Sequence, residues 1–210
     1  MSAKYLSIHP KNPEERKIEE VAKTLQKGGI IIYPSDTVYA FGCDINNAKA
    51  IEQICRIRGI KPEKQNFSIV CRDLSHLSDF TKPIPNEIFK LMKRNVPGPF
   101  TFILNANTKV PKLLGQNKKT VGIRVPNNAI LQSIIAQFDS PIVSASLKYI
   151  NNDDNEFLEY PTDPELIYDM YKNMVDLVID GGPCGQIAST IVDCTEEPFS
   201  IIREGLGQLI

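Results

Sequence analysis

The sequence predicts an α/β fold in which helices pack around a twisted, mixed β-sheet. Short apolar runs that are typical of buried strands alternate with segments whose apolar residues recur at helical spacing. That alternation is typical of α/β proteins. Pro-Gly turns and closely spaced late strands favour some antiparallel pairing, so the sheet should be mixed. With 42% hydrophobic residues in 210, the chain can bury a large core, and we expect one domain over residues 1–210.

The first half of the chain carries the patterns of three helices and two strands. Helices are predicted from apolar stripes that follow a residue able to cap the first turn, and strands from short β-branched runs. The predicted elements are a helix after Asn12, a strand over residues 30–33, a helix after Asn46 and Asn47, a strand over residues 67–71 and a helix over residues 86–94.

The second half carries more strands, which are separated by two helices. The helices are predicted after the capping residues Asn127 and Asn128 and at Asp163, which precedes a proline. Residues 151–156 are polar and unpatterned, and they predict an exposed loop. The predicted strands cover residues 100–104, 120–125, 141–143, 176–179, 190–193 and 199–203.

Polar side chains follow two of the predicted strands. The apolar run 30–32 ends in a polar turn over residues 33–44, and the run 141–143 ends at Ser144 and Ser146. Open α/β sheets bind ligands beyond the carboxyl ends of their strands, so this pattern indicates a ligand site. The alternative is that Ser35 and Asp36 only cap the amides of a tight turn.

Two guanidinium groups lie near the end of the second predicted helix, at Arg56 and Arg58. Their permanent charge and forked donors suit a carboxylate or a phosphate. The alternative is a solvated helix end, where basic residues are favoured in any case.

Composition excludes several classes of function. The net charge of -1 gives no overall attraction to nucleic acids or to anionic membranes. No apolar run approaches the ~20 residues that span a bilayer and the amino terminus lacks an apolar signal core, so we expect a cytoplasmic protein without a membrane partner. The five cysteines form no CxxC pair, and His9 and His76 have no ligand spacing around them, so no structural metal is expected.

Seven short motifs in order resemble the YrdC/YciO family over residues 13–207, and the resemblance is closest to its YciO-type members. Each motif is weak alone, but their order is specific. The motifs are Tyr33-Pro34-Ser35-Asp36-Thr37, Arg56-x-Arg58 with Asn66 beyond it, Pro97-Gly98-Pro99-Phe100-Thr101, Gly122-Ile123-Arg124-Val125-Pro126, Ser144-Ala145-Ser146, Ser189-Thr190-Ile191-Val192-Asp193 and Arg203-Glu204-Gly205.

The resemblance implies a single YrdC-like domain with a concave, positively charged cleft. It also implies a nucleotidyltransferase of the threonylcarbamoyl-AMP synthase type, which serves the threonylcarbamoyladenosine modification of tRNA. The implied substrates are ATP, bicarbonate and L-threonine or another small amino acid, with Mg²⁺ accompanying the nucleotide. A carbamate formed on the amine attacks the α-phosphate, and pyrophosphate leaves.

Site residues follow from the resemblance, motif by motif. Arg56, Arg58, Ser144 and Ser146 are implied as catalytic. Thr37 and Tyr39 are implied on the amino-acid side. The remaining residues implied in binding substrate or nucleotide are Asn66, Thr101, Arg124, Ser189 and Arg203.

This chain departs from the YrdC pattern at two of these positions. Arg56 replaces a lysine, so a wide planar fork stands where a compact ammonium is expected. Ser146 replaces an asparagine, which removes the amide donors. The alternative function is therefore a protein that binds nucleotide, tRNA or another RNA without synthase activity. A basic strip could serve an RNA, and it consists of Lys109, Lys112, Lys118, Lys119 and Arg124.

Overall fold

A ten-stranded mixed β-sheet organises the chain in the computed structural model, which describes residues 2–61, 66–110, 114, 119–148 and 160–210. The strands are β1 (Lys4–Ser7), β2 (Ile31–Tyr33), β3 (Ala40–Asp44), β4 (Ser68–Val70), β5 (Phe100–Asn105), β6 (Thr120–Arg124), β7 (Ile142–Ser146), β8 (Leu177–Asp180), β9 (Thr190–Asp193) and β10 (Ser200–Arg203). The helices are α1 (Glu15–Gln26), α2 (Ala48–Ile57), α3 (Asn86–Asn95), α4 (Ala129–Phe138) and α5 (Pro164–Tyr171).

The strand order is β1-β8-β2-β3-β7-β4-β6-β5-β9-β10. Four neighbouring pairs are parallel, namely β1/β8, β8/β2, β4/β6 and β5/β9. The other five are antiparallel, namely β2/β3, β3/β7, β7/β4, β6/β5 and β9/β10. The predicted mixed α/β domain is therefore confirmed.

Most helix starts follow the predicted capping chemistry. The side chain of Asn47 accepts from the amide of Ala50 at the start of α2, and Asn128 accepts from Leu131 at the start of α4. Asp163 caps α5 in the same way.

The predicted cap at Asn12 is wrong, because α1 begins at Glu15. The Glu14 carboxylate bonds instead to the His9 amide and to Lys17. These two bonds hold the pKa of Glu14 down at about 2.

Two strands were not predicted. β1 is an edge strand whose Lys4 and Ser7 are exposed, so it lacks a continuous apolar run. β3 lies inside residues 33–44, which the sequence predicts as a polar turn, yet Ala40 to Cys43 are buried and pair with β2 and β7. β7 also continues through Ser146 rather than ending at residue 143. The predicted loop over residues 151–156 lies outside the described residues.

The two faces of the sheet are packed differently. One face of the central strands carries apolar residues of the main core, such as Ile69, Phe102 and Val143. On the other face, α1 and α4 cover the half that contains Tyr33 and Ile142. The cluster under these helices reaches β4 at Val70. Farther along the same sheet, Ser68 of β4, Gly122 of β6 and Thr101 of β5 line a cleft. No helix among the described residues is long and apolar enough to cross a membrane.

Candidate functional site

The cleft has a volume of about 560 Å³ and collects residues from distant parts of the chain. It brings together eight of the eleven site residues that the sequence predicts. They are Arg58, Asn66, Thr101, Arg124, Ser144, Ser146, Ser189 and Arg203. The strand pairing explains this meeting, since β7, β4, β6, β5 and β9 are consecutive neighbours in the sheet.

The other three predicted residues do not line the cleft. Arg56 is exposed on the last turn of α2, two positions from Arg58, and such a spacing turns the two side chains to different sides of a helix. Thr37 is buried, and its hydroxyl accepts from Nη2 of Arg124 at 3.2 Å. Tyr39 is also buried, and its hydroxyl donates to the Gly182 carbonyl at 2.8 Å.

Small side chains form the floor of the cleft. Ser68 of β4 pairs with Ser144 of β7 on one side and with Gly122 of β6 on the other. A Cβ added at Gly122 would lie 3.3 Å from the methyl group of Thr101 and would project from the floor. Gly122 therefore leaves room for a ligand above β6.

Ser144 is oriented by Tyr33, a residue that the sequence analysis did not assign to the site. The Tyr33 hydroxyl donates to Oγ of Ser144 at 2.6 Å, and both residues are buried. Burial raises the pKa of Tyr33 to about 12, so it remains a protonated donor at neutral pH. Because Oγ of Ser144 already accepts this bond, its own proton is available for an acceptor in the cleft.

One arginine of the cleft is neutralised inside the protein. Nη2 of Arg124 lies 2.8 Å from Oδ1 of Asp36, and both side chains are almost fully buried. Oδ2 of Asp36 also accepts from the Asn127 amide at 3.0 Å. Nε of Arg124 is buried without a hydrogen-bond partner in the described part of the chain. Asp36 therefore balances the charge of Arg124 and holds it against the cleft wall.

Arg203 is held by neutral oxygen atoms. Its Nη2 donates to the Ser189 carbonyl at 2.6 Å, and its Nε donates to the same oxygen at 3.2 Å. Oγ of Ser189 lies 2.8 Å from Oγ1 of Thr101. Gly205 allows this approach, because a Cβ there would lie 2.3 Å from the Ala188 carbonyl. The positive charge of Arg203 is thus positioned without being neutralised.

Arg58, Lys148 and Arg203 form a group that we call the cation cluster. All three line the cleft, and burial lowers the pKa of each. The positive charges of Arg58 and Arg203 lower the pKa of Lys148 further. Among the described residues, none of the ion pairs involves a member of the cluster. Such an arrangement favours an anionic ligand.

Lys148 was not predicted as a site residue, although a signal exists in the sequence. It follows Ser144 and Ser146 at a spacing of two, and a strand presents such residues on one face. Lys148 was missed because the motif Ser144-Ala145-Ser146 ends two residues before it.

Other chemistries find less support. Burial raises the pKa of Cys43 to about 12, so its thiol is not a ready nucleophile. Within the described ranges, no three potential metal ligands come together.

Fewer free positive charges remain in the predicted basic strip than the sequence indicates. Arg124 is buried with Asp36, and Nζ of Lys109 lies 3.6 Å from an oxygen of Asp79. Lys112 and Lys118 lie outside the described residues.

The chain is similar to known proteins in sequence and in fold. A family model named Sua5_yciO_yrdC, described as Telomere recombination, matches residues 23–205. The uncharacterized protein YciO of Escherichia coli K12 is 42% identical over 208 residues, which are 99% of this chain and 98% of that protein. The crystal structure of E. coli YciO matches with a TM-score of 0.89 at 40% identity, over 98% of this chain and 97% of that one.

Threonylcarbamoyl-AMP synthases are more distant relatives. The synthase of Pyrococcus abyssi is 28% identical over 193 residues, which are 91% of this chain and 55% of that enzyme. The crystal structure of P. abyssi Sua5 complexed with L-threonine matches with a TM-score of 0.86 at 27% identity, over 96% of this chain and 57% of that one. The chain therefore spans a little over half the length of these relatives.

Proposed function

This chain is a YciO-type member of the Sua5/YciO/YrdC family, and on that premise we propose that its cleft performs a threonylcarbamoyl-AMP synthase-like reaction. In this reaction L-threonine, bicarbonate and ATP give threonylcarbamoyl-AMP, pyrophosphate and water. The observation that carries the proposal is the cation cluster, which lies without an ion-pair partner among the described residues. The proposed product would serve the threonylcarbamoyladenosine modification of tRNA.

The phosphates of ATP fit the cation cluster. Guanidinium groups bind phosphate oxygens through paired donors, and Arg58 and Arg203 present two such groups to one cleft. The hydroxyls of Ser144 and Ser189 add neutral donors nearby. A polyphosphate would relieve the repulsion among the three cations. An anion with more negative charges should therefore bind to the cluster more tightly.

The amino acid fits the part of the cleft that Arg124 lines, where the buried Thr37 supports Arg124 from inside the protein. Asp36 neutralises Arg124 there, and a zwitterion such as L-threonine adds no net charge to a balanced environment. The structure of P. abyssi Sua5 complexed with L-threonine supports an amino-acid ligand for this fold. Tyr39 does not line the cleft and would support its wall indirectly, because its hydroxyl bonds to the Gly182 carbonyl.

The proposed chemistry needs alignment and charge stabilisation rather than a protein nucleophile. The neutral amine of L-threonine first forms a bond to the carbon of bicarbonate, and one oxygen of bicarbonate leaves as water to give the carbamate. An oxygen of this carbamate then forms a bond to the α-phosphorus of ATP, and the bond from that phosphorus to the pyrophosphate oxygen breaks. Two bound substrates in one cleft gain the advantage of proximity. The cation cluster would stabilise the negative charge that grows on the departing pyrophosphate.

Mg²⁺ enters this scheme as part of the nucleotide substrate. The described residues contain no group of three potential metal ligands, and Asp36 already bonds to Arg124 and to the Asn127 amide. Mg²⁺ is commonly bound by substrate phosphates with few protein ligands. The oxygen atoms that bind Mg²⁺ would therefore come mainly from the phosphates of ATP.

The two departures from the YrdC pattern favour a slow enzyme. Ser146 lines the cleft with a short hydroxyl where the pattern has an amide, and Arg56 is exposed on α2. Loss of one aligned donor lowers a rate by about 100-fold or more when that donor serves the transition state. Substrate binding depends on the other residues and should be retained.

The direct test is incubation of the protein with ATP, Mg²⁺, bicarbonate and each amino acid in turn. We expect release of pyrophosphate and formation of a carbamoyl-adenylate, with L-threonine or another small amino acid preferred. Omission of bicarbonate should abolish both products, and Arg203→Ala is the matched inactive variant.

Two other outcomes would identify the alternative functions. ATP binding without any product would indicate a nucleotide-binding protein that has lost the synthase reaction, as Ser146 suggests. Absence of ATP binding together with steeply salt-dependent RNA binding would contradict the proposal and indicate an RNA-binding protein.

A further inference from the structure

We infer that Lys148 is a ligand of the polyphosphate chain. Its ammonium group supplies the third cation of the cleft, which Arg56 does not line. The inference rests on the proposed function, because it concerns the phosphates of the proposed nucleotide. It assigns to this chain an anion site whose third cation comes from the end of β7 rather than from α2.

The backbone places Lys148 firmly at the cleft. The hydroxyl of Tyr171 donates to the Lys148 carbonyl at 3.1 Å. Tyr171 is buried, and its ring packs edge-on against Phe41 with the ring centroids 5.3 Å apart. The preceding residue, Leu147, donates its amide to the Tyr39 carbonyl at 2.8 Å. Hydrogen bonds at the Leu147 amide and at the Lys148 carbonyl thus fix the backbone from which the lysine side chain extends.

Lys148 differs from the other described lysines in being half-buried beside two cations. Six other lysines lie within ion-pair distance of a carboxylate, namely Lys4, Lys17, Lys23, Lys90, Lys109 and Lys172, and others, such as Lys27 and Lys49, are exposed to solvent. Lys148 instead lines the cleft with Arg58 and Arg203, and no ion pair found in the described ranges includes it. A half-buried cation beside two others is unfavourable until an anion of several charges joins them.

An ammonium group adds something that the two arginines cannot. The guanidinium groups of Arg58 and Arg203 are planar forks, and Nη2 and Nε of Arg203 both donate to the Ser189 carbonyl. The ammonium of Lys148 is compact and carries three donors that turn freely, so it can bond to oxygens of adjacent phosphates. The cluster should therefore prefer pyrophosphate and triphosphate to a single phosphate.

The test is calorimetric titration of the full chain with inorganic pyrophosphate, inorganic phosphate and ATP with Mg²⁺. Lys148→Met keeps the unbranched stem of the side chain and removes the ammonium group. We expect the Kd for pyrophosphate to rise by about 10-fold or more, as for the loss of a charged hydrogen bond. Lys148→Arg should recover part of the affinity. Lys23→Met on α1 removes a lysine from an exposed ion pair and should leave the affinity unchanged.

The outcomes separate this inference from the proposed function. Equal pyrophosphate affinity in wild type and Lys148→Met, with ATP still bound by both, would overturn the role of Lys148 and leave the nucleotide site in place. A wild-type protein that binds neither pyrophosphate nor ATP would overturn both. Near-ultraviolet circular dichroism checks that the variant is folded, which we expect because the substitution removes repulsion.

Discussion

The cleft contains two groups of charged residues that differ in how their charge is compensated. Arg124 is buried against Asp36 at 2.8 Å, and Asp36 also accepts from a backbone amide. The cation cluster of Arg58, Lys148 and Arg203 contains three positive charges, and no ion pair among the described residues includes any of them. The arginines of one cleft therefore have two different electrostatic environments.

The difference indicates which charges serve the fold and which serve a ligand. A buried ion pair that loses one partner leaves an uncompensated charge, so the Asp36–Arg124 pair is tied to stability. A cluster of like charges opposes folding slightly and is relieved by an anion, so its residues are tied to binding. Substitutions in the two groups should consequently differ in what they change.

The largest expected effect is on stability and comes from Asp36→Asn. The substitution keeps the shape of the side chain but leaves Arg124 charged, buried and unpaired, which should lower the free energy of unfolding by about 3–5 kcal/mol. Urea denaturation measures this loss. Asp169→Asn, which breaks the exposed pair with Lys172, is the control and should change stability far less, because solvent screens that pair. A similar small loss for Asp36→Asn would show that the two groups do not differ.

The next effect is on affinity and comes from Arg58→Ala. Loss of a charged hydrogen bond worth about 1.5–3 kcal/mol should raise the Kd for ATP by roughly 10- to 100-fold. The free energy of unfolding should not fall, because repulsion with Lys148 is removed. Arg56→Ala removes the exposed arginine of the same helix and should cost much less affinity. Calorimetry on the two variants distinguishes them, and equal losses would mean that the position of Arg58 in the cleft is not what matters.

A smaller effect is expected from Tyr33→Phe, which removes the donor that orients Ser144. The affinity for ATP should fall by about 1 kcal/mol, as for a neutral hydrogen bond. In a Ser144→Ala background the same substitution should cause no further loss of affinity, because Tyr33 acts through Ser144. Additive losses in this double-mutant cycle would exclude that coupling.

The smallest effect concerns the pH dependence of stability. Burial and two neighbouring arginines lower the pKa of Lys148 below its ordinary value of 10.5. A lysine whose pKa falls on folding destabilises the folded state while it is protonated. The penalty is complete below the lowered pKa, shrinks as pH rises above it, and is gone above the ordinary value of 10.5. Lys148→Met should therefore be slightly more stable than wild type at pH 7, and this gain should shrink in thermal melts at higher pH. A gain that grows with pH would contradict the assigned environment.

The fold class and most of the cleft could be predicted from the sequence. Local patterns located β9, the caps Asn47, Asn128 and Asp163, and the order of strands and helices. The order of short motifs then grouped Arg58, Ser144, Ser189 and Arg203, which line one cleft. These residues carried a signal because each belongs to a local pattern of turn, strand end or helix end.

What escaped prediction depends on contacts between distant residues. Asp36 and Arg124 are 88 positions apart, and only the sheet brings them together. β3 resembles a turn in sequence because its neighbours are polar, whereas pairing with β2 and β7 makes it a buried strand. Lys148 gains its importance from Arg58 and Arg203, which lie far from it in the chain.

We propose that the cation cluster holds the phosphates of a nucleotide while the Asp36–Arg124 pair stays intact. A crystal structure of the protein with L-threonine, Mg²⁺ and a non-hydrolysable ATP analogue tests it most directly. We predict phosphate oxygens within hydrogen-bond distance of Arg58, Lys148 and Arg203, with Arg124 still bonded to Asp36. Phosphates bound away from these three residues, or an empty cleft at saturating nucleotide, would contradict it.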